Sequence, residues 1–241
     1  MKRNIIISFS LAGLIAAIPL IYSCGGGGGG GGVSSPPSPI MLASVDTAGT
    51  EGNSGSYWTV LSADGRYVAF ESDASNLVAN DTNIRRYIFV HDTATGITSL
   101  VSVSTAGTPG NNDSYYPSIS SDGRYVAFES LASNLVPNDT NILSDIFLRD
   151  TASGTTSRVS VSSTGIQGNS ESSNPSISSD GRYVAFHSHA GNLAANDTLS
   201  ADDVFAHDTS TGITSLMSVS TAGTPGTMTA IIPPSAPTDA T

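Results

Sequence analysis

Carboxylates and amides recur at fixed spacing in one polar stretch of this chain. Asn138-Asp139-Thr140-Asn141 is followed by Asp145, six residues after Asp139. Oxygen donors alternating along a loop, with a carboxylate a turn later, suit a hard cation such as Ca²⁺. Two other copies vary the theme. In one, Asp81 and Asn83 are followed by Tyr87 where the distal Asp would stand, and Arg85 and Arg86 add positive charge. In the other, Asp197 and Asp203 remain, with Asp202 beside them, but Leu199 replaces the Asn. The expected metal ligands are Asp139, Asn141, Asp145, Asp197 and Asp203. Asp and Asn also cap turns by accepting from nearby backbone N–H groups, and both readings stay open.

Other reactive residue types point to less. His187 and His189 sit at i and i+2, where an extended strand puts both on one face and could offer them to a transition metal, but no third ligand follows. His91 and His207 alternate with Arg149 in register, which reads as a solvated strand end. Serines abound without a Gly-x-Ser-x-Gly elbow, and the glycines at 25–32 lack the Lys-Ser/Thr of a phosphate loop. Tyr57, Trp58, Tyr115 and Tyr116 could stack on a sugar or peptide or pack a strand entrance. Asp64, Asp122, Asp180, Asp92, Asp150 and Asp208 read as turn-formers. The three Asn-Asp-Thr sequons read as coincidence.

These residues ride on a repeat. DGRYVAF stands at 64–70, 122–128 and 180–186, a period of 58 residues without insertion. Such a period means one supersecondary unit used three times. In the middle copy, 116–120, 125–130, 145–150 and 155–162 read as strands. Asp122-Gly123 makes a hairpin turn, 151–154 a second short turn, and 131–144 a long loop. Strand direction alternates, so both short turns fall at one end and both long connections at the other. Val126 and Phe128 face one side of the sheet, and Tyr125 and Ala127 the other. A sheet apolar on both faces must lie between two others, as radial blades do. The expected fold is all-β: a partial β-propeller of three four-stranded antiparallel blades, preceded by an orphan strand at 40–45 that aligns with 98–103.

PSISSDGRYVAF resembles the strand–Asp-Gly–strand signature of the WD40-like (PD40, TolB-type) β-propeller repeats, over residues 38–226. That resemblance implies the propeller fold. The lipoprotein-like leader, the lack of an N-terminal TolB domain and the longer repeat depart from TolB, so its role in the Tol–Pal system is not carried over. A fourth repeat starts as STAGTPG at 220–226, and residues 227–241 then lose the pattern. The repeats thus read as part of a longer ring, as a unit completed by self-association through open sheet edges, or as an inactive fragment.

Lys2 and Arg3 precede an apolar run from Ile5 to Ile21 and then Cys24, the only cysteine. Residues 1–23 resemble a bacterial lipoprotein signal, with Cys24 as the lipidated residue and 24–37 as a Gly/Pro-rich tether. Gly25 in place of Asp resembles the pattern for outer-membrane delivery. Without residues 1–23 the chain carries seven arginines, no lysine and 20 carboxylates. That balance excludes a phosphate-neutralising surface, hence nucleic acid. The expectation is a non-enzymatic module lipid-anchored at the bacterial cell envelope. Its acidic loop face, made of 73–86, 131–144, 189–202, 106–114 and 164–172, would meet a protein, peptide or glycan. A cation-assisted envelope hydrolase or lyase is the alternative.

Overall fold

A computed structural model describes residues 6–8, 40–79, 81, 84–197 and 201–220. Cys24, the tether, the tail beyond 220, Asn83 and Leu199 lie outside them. Strand β1 (Ile6–Ser8) pairs antiparallel with β2 (Ile40–Leu42), which belongs to none of the blades. Three four-stranded antiparallel sheets follow. The first holds β3 (Ser56–Leu61), β4 (Tyr67–Ser72), β5 (Tyr87–Asp92) and β6 (Ile97–Leu100). β7 (Ser114–Ile119), β8 (Tyr125–Ser130), β9 (Asp145–Asp150) and β10 (Thr155–Arg158) make the second. The third is β11 (Ser172–Ile177), β12 (Tyr183–Ser188), β13 (Asp203–Asp208) and β14 (Ile213–Leu216). Each is a meander in chain order. β7 packs on β3 and β4, and β11 on β7 and β8, so the first strands adjoin at the inner edge as propeller blades require.

The two middle strands of each blade fall where the sequence puts them; the outer two differ. The first strand starts two residues earlier than expected, at Ser114, and carries a register shift between Tyr115 and Ser118. The last strand ends at Arg158 rather than 162. There a side chain replaces the ladder: Ser160 Oγ accepts the Ile146 N–H, as Ser102 does for Ile88 and Ser218 for Val204.

Packing follows the alternation. Val126, Phe128, Leu135 and Phe147 of the second blade share a cluster with Ala69, Ile88, Val90 and Val101 of the first. On its other face Ala127, Ile146, Leu148 and Val159 meet Val184, Phe186, Leu193 and Phe205 of the third. Burying each such Phe contributes roughly 1.5–3 kcal/mol. Backbone bonds add to the join: Ala63 N–H donates to Ser121 O at 3.0 Å and Ser121 N–H to Ser179 O at 2.9 Å. Among the described residues nothing covers the outward face of the third blade in this way. Val101 and Val159 are 2 % exposed but their counterpart Met217 is 55 % exposed, and Tyr183 reaches 44 %.

The Asp-Gly hairpins serve a second purpose at this seam. A Cβ on Gly123 would lie 2.0 Å from the Tyr67 ring, and one on Gly181 2.2 Å from that of Tyr125. Each tyrosine therefore lies on the glycine of the next blade. Gly165, at φ +81°, has open space around it, whereas Gly181, at φ +76°, does not. Gly165→Ala should cost about 1 kcal/mol from backbone strain alone. Gly181→Ala should cost about 3 kcal/mol, because overlap with Tyr125 is added. Urea denaturation of the two variants measures the difference; equal losses would show that the ring does not need the glycine.

Candidate functional site

The bulge in each first strand puts one non-glycine residue in the left-handed region: Trp58 (φ 46°), Tyr116 (φ 51°) and Asn174 (φ 53°). Side chains seldom tolerate that conformation, and bulges re-aim the residue they carry. Trp58 is turned out to 63 % exposure. Its ring meets Tyr116 edge-on, centroids 4.9 Å apart. This pair stands at the long-loop end of the inner strands, where Arg85 and Arg86 meet Asn112 and Asp113.

Arg86, the last loop residue before β5, organises the surroundings. Its guanidinium lies 4.9 Å from the Tyr57 ring centroid and 5.5 Å from that of Tyr115. Nε and Nη2 donate to the two oxygens of Asp73 at 2.8 and 3.0 Å, and Nη1 to Glu71 Oε1 at 3.2 Å. Glu71 Oε2 accepts the Tyr116 N–H at 3.2 Å, tying the bulge to the ion pair. Asp113 accepts from the Arg86 N–H and, at 3.3 Å, from the Tyr115 hydroxyl. Burial pushes the Glu71 carboxyl up, opposed by the Tyr116 N–H and Arg86. The result is an exposed indole on a platform fixed by charge.

The other blades spend the same positions differently. Glu129 accepts from Ser144 Oγ at 2.8 Å and from the Asn174 N–H at 3.2 Å, and burial again pushes its carboxyl up. His187 takes the place of the Glu and faces Asp202 at 3.7 Å. That pairing reverses the order of charge, and His189 lies exposed outside it. Among the described residues, the ring contact between first strands of neighbouring blades lies at the junction of the first two.

The expected metal ligands separate. Asp139 Oδ1 and Asp145 Oδ2 each stand 3.3 Å from Arg158 Nη1 and 2.9 Å from Gln167 Nε2. A guanidinium thus occupies the centre of the second blade's acidic set. Ser160 Oγ donates to the remaining Asp145 oxygen at 2.6 Å. Burial pushes the Asp145 carboxyl up against the pull of Ser160, Gln167 and Arg158. Asn141 turns away, its amide donating to Gly168 O at 3.1 Å. In the first blade the Tyr87 hydroxyl donates to Gly110 O at 2.8 Å, the matching carbonyl. In the third, Asp203 Oδ1 accepts from Ser218 Oγ at 2.5 Å. No group of three His, Cys, Asp or Glu side chains gathers to metal-binding distance among the described residues.

At the short-turn end the acids do local work. Asp64, Asp122 and Asp180 accept the N–H two residues on. Asp92, Asp150 and Asp208 each take a two-bond ion pair from Arg66, Arg124 and Arg182, whose guanidiniums hold these carboxyls far below the usual range. The histidines overturn the expectation of a solvated strand end. His91 and His207 are buried, with Nδ1 at 2.8 Å from Thr98 Oγ1 and 2.9 Å from Thr214 Oγ1. Each threonine gives its own hydrogen to a backbone carbonyl, Val45 O or Val161 O, so each Nδ1 carries the proton. Arg149 makes the same contact to Thr156 Oγ1 at 2.9 Å. Arg and His interchange because the site needs a donor, not because it faces water.

No protein-family model matches the chain, and no curated protein matches it. Solved structures do resemble it. A TolB from Agrobacterium tumefaciens is 16 % identical with a TM-score of 0.48, over 77 % of this chain and 53 % of that one. A structure described in an analysis of two prolyl endopeptidases matches at 16 % and 0.46, over 76 % of this chain and 24 % of that one. TolB from Acinetobacter baumannii matches at 14 % and 0.33, over 76 % and 46 %. The chain spans about half the length of the TolB structures it matches or less. The blades are propeller blades by their own topology.

Arg86 reads from the sequence only as added positive charge, and Glu71, Asp73, Asp113 and Arg158 give no motif because each occurs in one copy only or pairs with residues that do. Comparison at the 58-residue register would have found Arg86 against Ser144 and Asp202, and Arg158 against Leu100 and Leu216.

Burial lowers the pKa of His91 and His207. The unfolded chain then binds protons that the folded one refuses, so the stability these residues give is complete above about pH 6.5 and lost below it. Chemical denaturation between pH 7 and 5.5 should show a shallower fall in the His91→Arg/His207→Arg double variant than in the parent. Identical slopes would place the sensitivity elsewhere.

Proposed function

We infer that this chain is an envelope-anchored, non-enzymatic propeller module that binds a peptide or glycan segment at its long-loop face. The observation that carries the reading is Trp58. A tryptophan exposed to 63 % on a left-handed bulge meets the ring of Tyr116, whose own bulge is held by the buried Glu71 carboxylate and, through it, by the aromatic-flanked Arg86. The bulge recurs in every blade, but the tryptophan stands on the first alone, and an indole in water is a typical anchor for recognition. The surrounding Asp73 and Arg86 are partly exposed and offer polar partners of both signs. Anchoring rests on Lys2-Arg3, the apolar run, Cys24 and the glycine tract. Cys24 would carry the lipid, and the outer membrane is the surface this signal resembles most.

Trp58 is the only tryptophan, so its fluorescence reports on the site directly. Titration with peptide and glycan fragments of the bacterial envelope should shift its emission. Tyr116→Ala should weaken the binding about 30-fold, the size of an interface hot spot. Trp58→Ala, followed by calorimetry, should do the same while changing stability by no more than about 0.5 kcal/mol. Full affinity in Trp58→Ala would sink the reading. Separately, Cys24→Ser should abolish incorporation of labelled palmitate into the protein made in bacteria; retained label would remove the anchor.

A further inference from the structure

The third blade holds a buried carboxylate oxygen that nothing satisfies. Asp203 is 4 % exposed, and its Oδ2 has no hydrogen-bond partner. Its direction is fixed by comparison with the second blade. There Asp145 Oδ1 accepts from Ser160 Oγ, which leaves Oδ2 facing Arg158 and Gln167. In the third blade Asp203 Oδ1 accepts from Ser218 Oγ in the same way, so Oδ2 points at the same place. The two donors that filled it are gone. Leu216 stands in register with Arg158, and Pro225 with Gln167.

The sequence repeats in the third blade the oxygen-bearing residues that surround the guanidinium in the second. Arg158 is enclosed there by Asp139 Oδ1, Asp145 Oδ2 and the Asn138 carbonyl, each at 3.3 Å. The counterparts are Asp197, Asp203 and the Asn196 carbonyl. A buried carboxylate needs a cation or several hydrogen bonds, and a buried ion pair that loses one partner is strongly destabilised. Carboxylate and carbonyl oxygens without nitrogen or sulfur select hard divalent ions, which keep some of their waters. A route to solvent exists, since Asp197 and Leu216 both line a surface cavity of about 550 Å³.

We propose that the third blade binds one divalent cation of the calcium type between Asp203, Asp197 and the Asn196 carbonyl, where the second blade carries the guanidinium of Arg158. The first blade has a third solution, the Tyr87 hydroxyl on Gly110 O. One position in the repeat is thus filled by a phenol, by an arginine and by a metal ion.

Calorimetry with Ca²⁺ on the chelator-treated full chain in detergent tests this, with thermal melting alongside. One ion per chain should bind and raise the melting temperature, as any ligand of the folded state must. Asp203→Asn should weaken binding at least tenfold. Leu216→Arg should abolish it without lowering the melting temperature measured in chelator, because the arginine supplies the missing charge. Arg158→Leu should lower that temperature and raise the stoichiometry to two. The absence of both heat and melting shift overturns the proposal, and so does binding left unchanged by Asp203→Asn and by Leu216→Arg.

Discussion

Each sheet in this protein is apolar on both sides, and that one constraint decides the architecture. A four-stranded meander with Val126 and Phe128 on one face and Ala127 and Leu148 on the other cannot present either to water. A second sheet on one side only, as in a sandwich, would leave half of that surface wet. Serial stacking is what satisfies both faces. The large residues of one blade fall against the smaller ones of its predecessor, and the tyrosine that starts each second strand lies on a glycine that must have no side chain. The interblade contact is therefore a steric match as well as a hydrophobic one.

The three copies act as internal controls on one another. Where their contacts agree, they concern folding: Arg on Asp at the short turns, Ser on Ser beneath the long loops at 2.9–3.0 Å, and Ser oxygens ending the ladders. Where they differ, the difference gathers at the long-loop end. Glu71 with Arg86, Glu129 with Ser144, and His187 with Asp202 are three polar answers in one frame. A rigid frame lets such changes occur without repacking the sheet, because one partner of each pair stands on the strand and the other on the loop that precedes the next strand.

The middle strands, the turns, the sidedness of the loops and the packing alternation were legible because period-two patterning and Asp-Gly turns are local signals. The bulges were not. Trp58 and Tyr116 read as aromatics that stack on a ligand or pack a strand entrance, and no sequence rule puts a bulky aromatic at positive φ. The buried histidines were misjudged for a related reason: exchange with arginine was taken as a sign of water, when a threonine oxygen awaiting a donor explains both. The acidic loop residues were recognised as a group. What escaped notice is that Arg158, 13 residues after Asp145, returns to the same point. A contact that depends on the register of two paired strands carries no motif.

The tyrosine-on-glycine seam has a sense of direction. Every blade offers an aromatic lid on its forward side and a hairpin with room for one on its rear, so the two sides are complementary but never alike. Tyr183, standing open on the third blade, can be covered by a rear side and not by another forward side, which would set ring against ring. Any growth of this array must be head-to-tail, and twofold self-matching through this surface is sterically disfavoured.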